Sequence, residues 1–232
     1  MIDQSLLTLH SRSLTLFVRA LTLISALSVL LLEGRMWFTG THHLLFLPWN
    51  LGLAWIPFGL ALVAETNLSR DPQQRWKGWL SLAGWLFFFP NAPYILTDVV
   101  WYFRGFDWFL GPFDLVLLGL NAFIGLLLGL GSLLIVHRAV TARAGAAIGW
   151  VFIALSDLLA GFGIYVGRFM RWNSWDVVTN PLDLVAAVIE RLSHPEDDPR
   201  LLGVTLDFAV LLVLLYLLLV VWLRRQSRQE AT

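Results

Sequence analysis

FDLVLLGLNAFIGLLLGLGSLLIV, residues 113–136, carries a single charged side chain, Asp114, in 24 positions. A helix of about 20 residues rises ~30 Å, the thickness of a bilayer's hydrocarbon. The stretch therefore predicts a membrane-spanning helix. Five further apolar runs, at residues 14–32, 44–64, 78–97, 146–166 and 203–223, read the same way. Together they predict an all-α, polytopic transmembrane helical bundle of about six spans, forming one membrane-embedded domain over residues 1–232.

Composition agrees: 58% of the 232 residues are hydrophobic and only 14% are charged, against roughly 25% charged in soluble domains. The formal net charge is zero, so the basic face that a nucleic-acid partner would require is missing. Without cysteine, disulfides, thiolate metal sites and cysteine nucleophiles are excluded together. The first apolar run is followed by Glu33, Gly34 and Arg35 instead of a small-residue cleavage site, and reads as an uncleaved span.

Charge topology predicts the orientation. With six spans, one side of the membrane holds nine basic residues, including Arg70, Arg75, Lys77, Arg138, Arg143, Arg224 and Arg225. The other holds six, four of them in the loop after the fifth span. The positive-inside rule places both termini in the cytoplasm. Tryptophans then fall in two belts, Trp37, Trp101, Trp108, Trp172 and Trp175 outside and Trp76, Trp79, Trp150 and Trp222 inside, where amphipathic indoles prefer to sit. Within the long outer loop, Asn180, Pro181 and Asp183 mark a helix start, and Leu182, Val185, Ile189 and Leu192 recur on one face. A short extracytoplasmic interfacial helix is expected at residues 181–193.

The third span contains FFFPNAPYILTDVVW, residues 87–101, whose prolines withhold amide protons and free two carbonyls inside the membrane. Asn91, Tyr94 and Asp98 follow at helical spacing. The motif is either an architectural kink repaired by the Asn91 amide or part of a polar cavity. On the fourth span, Asp114 and Asn121 share a stripe with Gly125 and Gly129; the glycines suit close helix packing, and Asn121 either joins helices or extends the cavity. Asp157 falls near the midplane of the fifth span, where an unpaired Asp costs about 2.5–3.5 kcal/mol, so it should be neutral, paired or lining water. Arg19 of the first span is a candidate partner, against which stands its snorkelling to the cytoplasmic interface. GIYVGRFMRWNSWD, residues 163–176, leaves that span with Arg168, Arg171, Asn173 and Asp176. Its arginines could pair with Asp98, Asp107 or Asp114, or clamp an anionic group; the alternative is an arginine and aromatic anchor at headgroup depth. There is no GxSxG, HExxH or phosphate-binding glycine loop. The adjacent His42 and His43 lack the further ligands a metal would need. No cofactor is implied.

PNAPYILTD, residues 90–98, and GIYVGRFMRWNSWD, residues 163–176, resemble a family of bacterial integral membrane proteins catalogued as domain of unknown function 1361. The likeness runs over roughly residues 79–189 and includes Asp114. It implies a bacterial inner-membrane location and several spans, but no reaction. A histidine often follows the motif aspartate by three residues in that family; here the position holds Trp101, which removes any role for such a histidine.

Three functions fit these residues. The first is binding or movement of a small polar solute or ion through a cavity open to the extracytoplasmic side, lined by Asn91, Tyr94, Asp98, Asp114, Asn121 and Asp157. The second is a membrane-embedded enzyme acting on a lipid or lipid-linked substrate, with Asp98 or Asp114 as base and Arg168 and Arg171 on a phosphate. The third is a scaffold or assembly subunit for partner membrane helices. The absence of an internal repeat weakens a transporter built from paired halves.

Overall fold

The computed structural model of the chain describes residues 11–69, 72–104, 111–172 and 175–229. Its elements are α1 (Ser11–Thr39), α2 (Phe46–Ser69), α3 (Arg75–Phe88), α4 (Asn91–Tyr94), a 3-10 segment (Ile95–Arg104), α5 (Gly111–Ala144), α6 (Ala146–Arg168), α7 (Asp176–Thr179), α8 (Pro181–Ser193) and α9 (Arg200–Gln229). No strand occurs among the described residues, so the all-α class expected from the apolar runs is correct. Helices α1, α2, α5, α6 and α9 are each long and apolar enough to cross a membrane, and the chain is a multi-pass membrane protein. Large apolar side chains such as Leu23, Leu30, Leu155 and Leu218 are exposed on these helices. In water they would be a liability; against lipid tails they are at home.

The longest helix, α5, has 34 residues and a length of about 51 Å at 1.5 Å per residue. It packs against α1, α2, α4, the 3-10 segment, α6 and α9, and its buried residues cover most of its circumference. It turns into α6 through one residue, Gly145, whose φ of 89° lies where a side chain would be strained. The two helices therefore form a tight hairpin.

The third apolar segment does not continue as one helix to residue 97. Helix α3 stops at Phe88, and a single turn, α4, follows. Without amide protons on Pro90 and Pro93, the backbone re-pairs locally. Phe89 O accepts the Ala92 N–H at 3.1 Å and Pro90 O accepts the Tyr94 N–H at 3.0 Å. Asn91 Nδ2 donates to Phe88 O at 3.0 Å, the repair that the architectural reading of the motif expects. The chain then tightens into 3-10 geometry, which carries Thr97 and Asp98 forward.

Glycines let this broken segment wedge between α5 and α6. A Cβ added at Gly125 of α5 would lie 2.6 Å from Ala92 O, and one at Gly163 of α6 would lie 2.7 Å from the Pro90 ring. A Cβ at Gly167 would come within 3.1 Å of the Tyr94 ring. The glycine seam read from residues 125 and 129 thus receives the proline motif itself. Gly125→Ala is expected to destabilise the protein by about 1–3 kcal/mol through overpacking. Gly119→Ala, on the same helix but with nothing within 4 Å of its added Cβ, should be neutral or gain up to about 1 kcal/mol. Thermal unfolding of the two variants in detergent measures the difference.

Candidate functional site

The two sequence motifs meet residue against residue. Pro90 packs on Gly163 and Tyr94 on Gly167, and Asp98 then faces Arg168. Arg168 Nη2 donates to Asp98 Oδ1 at 2.5 Å, while Asn50 Nδ2 of α2 donates to Oδ2 at 2.8 Å. Arg168 Nε donates to Thr97 Oγ1 at 2.8 Å and Nη2 shares that hydroxyl. The Thr97 hydroxyl in turn donates to Tyr94 O at 2.6 Å. The guanidinium carbon lies 4.5 Å from the Tyr94 ring centroid, within cation–π range. Asp98 is 1% exposed and both its oxygens are engaged. The Arg168 side chain stays 16% exposed, and its Nη1 donates to no described residue.

This cluster forms one end of a groove of about 920 Å³ between α2, α3, α4, α6 and α8. Leu53, Leu86, Phe87, Phe162, Val166 and Ile189 line its apolar wall. Its polar groups, Asn50, Asn91, Tyr94, Asp98 and Arg168, belong to the beginning of α2, to α4, to the 3-10 segment and to the end of α6. Trp49, Trp172 and Trp175 also line the groove, with Trp49 and Trp175 edge to face at 5.7 Å. Apolar residues of α8, among them Val185 and Ile189, complete it.

The other sequence-selected residues lie elsewhere. Asp114, which the sequence offered as a partner for Arg168 or Arg171, pairs instead with Arg35 at the end of α1. Nε donates to Oδ1 at 2.7 Å and Nη2 to Oδ2 at 2.9 Å, with both side chains fully buried. Arg35 Nη1 also donates to Thr41 Oγ1 at 2.5 Å. The α1–α5 contact places Arg35 against Asp114. Asn121 donates to Ser28 Oγ at 2.8 Å, joining α5 to α1. Asp157 is buried between helices with neither carboxylate oxygen hydrogen-bonded among the described residues; Arg19 is exposed and does not pair with it. Arg171 is exposed and adopts φ 61°, reversing the chain after α6 so that the Trp172 N–H donates to Val166 O at 3.3 Å. Asp176 begins α7 and does not line the groove. Asn173, Asp107, Trp108 and Arg70 lie outside the described residues, as does the Trp101 side chain.

Asn50 and Thr97 were not singled out from the sequence. Asn50 had a readable signal: it is the one amide or charged residue within 44–64, and a lone polar group in an apolar span calls for a partner. Near the same end of α6, Asp198 Oδ2 accepts from the Tyr165 hydroxyl at 3.0 Å, and Oδ1 accepts Arg200 Nε at 2.7 Å and the Arg200 N–H at 3.1 Å. This latch ties the end of α6 to the start of α9.

Residues 49–223 match the model of the family described as Protein of unknown function (DUF1361). The chain belongs to that family. The matched stretch holds both motifs and every residue of the Asn50, Asp98 and Arg168 cluster, whereas Arg35 precedes it. No curated protein and no solved structure matches the chain.

Two predictions follow from these ion pairs. Arg35→Met strands a buried carboxylate and should cost about 3–5 kcal/mol, while the double variant Arg35→Met, Asp114→Leu should recover most of that loss; unfolding of both variants in detergent reads the contrast. Hydrogen bonds from Arg200, aided by the Tyr165 hydroxyl, hold the Asp198 carboxyl down at about 2. Its folded value lies below the ordinary ~3.9, so the latch contributes its full stabilisation above about pH 4 and loses it as pH falls through about 2. The melting-temperature gap between the wild type and Asp198→Asn should be flat above about pH 4 and close as pH approaches 2.

Proposed function

We propose that this protein binds an amphiphilic molecule, a lipid or lipid-linked compound, with its chain along the apolar wall of the groove and its polar head at Tyr94 and Arg168. The observation that carries this reading is the division of one 920 Å³ groove into a long apolar wall and a compact polar end. Ligand sites of this size bury an apolar body and fix it with few polar groups. Arg168 supplies a donor not used by Asp98, and Tyr94, which also lines the groove, carries a hydroxyl that supplies another; both suit a head rich in acceptor oxygens.

Two observations favour binding an amphiphile over the other readings. Asp114, Asn121 and Asp157 are not among the groove's lining residues, which disfavours a continuous solute route through them. Asp98 has both oxygens committed, which disfavours a free general base and supports recognition. In this proposal α3 and its broken continuation make the sixth crossing, both termini are cytoplasmic by the positive-inside rule, and the polar end of the groove opens at the extracytoplasmic leaflet of an inner membrane. Tryptophans at that end suit headgroup depth.

The test uses the full chain purified in mild detergent, with bound amphiphiles extracted and identified by mass spectrometry. The wild type should carry one class in near-stoichiometric amount. Ala83→Trp, which fills the groove from α3 without touching the ion pair, should lose at least about nine-tenths of it, a shift of roughly 1.4 kcal/mol or more. Equal recovery from a folded Ala83→Trp variant refutes the assignment.

A further inference from the structure

The α5, α6 and α9 interface holds a second polar group, separate from the groove. Asp157 of α6 is 0% exposed and neither oxygen has a hydrogen-bond partner among the described residues. Across the interface, His137 Nδ1 of α5 and the Tyr216 hydroxyl of α9 are hydrogen-bonded at 2.7 Å, with His137 8% and Tyr216 1% exposed. The Trp150 ring of α6 closes over this pair at 4.6 Å from His137 and 6.0 Å from Tyr216. His137 Nε2 and Thr141 Oγ1, one turn further along α5, are also buried and without a hydrogen bond among the described residues. Both lie against Gly149 of α6. Thr141, His137 and Tyr216 therefore form one polar set near the α5–α6 hairpin, and Asp157, about two turns of α6 beyond Trp150, makes no hydrogen bond to it.

A buried carboxylate inside lipid needs a neutralising cation. The charged and titratable groups on the packed elements supply no ion pair to it. On α5, Arg138 faces Glu65 at 4.0 Å, Arg143 is exposed, and Asp114 belongs to Arg35. On α9, Asp207 and Arg224 are exposed, and Arg200 pairs with Asp198. On α4, Tyr94 carries Arg168. A metal ion would need several converging ligands, and among the described residues no three His, Cys, Asp or Glu side chains gather for one. A proton needs only the carboxylate.

We propose that Asp157 is a proton-binding site inside the membrane. The carboxylate gains one proton and ends neutral, which removes the need for a counter-charge in the apolar interface. The site stands independently of the groove and of what the groove binds.

Infrared spectroscopy of the full chain in liposomes, with isotope-labelled aspartate, tests this directly. The wild type at neutral pH should show a protonated carboxylic acid carbonyl band that shifts with the label and is lost in Asp157→Asn. Aspartates 98, 114 and 198, each paired with arginine, should contribute carboxylate bands instead. Absence of a labelled acid band in the wild type overturns the site whether or not Asp157→Asn folds, and so does persistence of that band in a folded Asp157→Asn. A band lost on adding sodium reassigns the site to a metal cation.

Discussion

Pro90 and Pro93 withhold two amide protons inside an apolar segment, and the architecture around the groove follows from how the chain meets that loss. Lipid offers no hydrogen bonds, so the backbone must find partners within the protein. Local turns and the Asn91 amide supply them. The price is a segment too irregular to face lipid along its whole length. It has to be covered, and Gly125 and Gly163 allow α5 and α6 to approach closely enough to do so. Once the break is held between those helices, Asp98 and Arg168 arrive opposite each other, because each lies a short, fixed distance beyond a contact that glycine permits.

The ionisable groups in the bundle obey one rule with different outcomes. Arg35 with Asp114 is fully enclosed and matched in a bidentate geometry, so it fastens α1 to α5 and offers nothing to a ligand. Arg168 with Asp98 is enclosed on the carboxylate side and partly open on the guanidinium side. That asymmetry distinguishes a structural pair from one able to recognise another molecule. Truncation of either pair would leave a buried charge uncompensated, so the stability of these side chains alone cannot separate the two roles; the accessible donor does.

Much of the fold was legible because bilayer thickness imposes a length on apolar runs, a strong and local signal. Helix α8 runs from Pro181 to Ser193, and Asn180, Pro181 and the spacing of Val185 and Ile189 are local signals too. The interruption of the third segment was legible as chemistry but not as geometry: the prolines announce freed carbonyls, whereas the short α4 turn and the 3-10 continuation depend on what packs against them. Pairings were less accessible. Charge topology placed Arg35 and Asp114 at one end of the bundle, but only helix adjacency selects Arg35 over Arg168, and adjacency is a tertiary property. Asn50 was within reach as the lone polar residue of its span. Thr97 was not, because a threonine is common in membrane helices and becomes informative only when Arg168 is found beside it.

The separation of the polar residues also bears on why the groove lies where it does. A bundle whose intramembrane acids all opened into one cavity would have a hydrated path through its centre. Here α5 occupies that centre and is buried on most faces, so polar groups are distributed around it in isolated sets: Asn121 with Ser28, Asp114 with Arg35, His137 with Tyr216. A groove can then form only at the flank, where the short α4 turn leaves space between α2 and α6 that a full helix would have filled. Arg168 bounds that space at one end and apolar side chains from α2, α3 and α6 bound the rest, so polarity along the groove is set by the depth at which the third helix breaks.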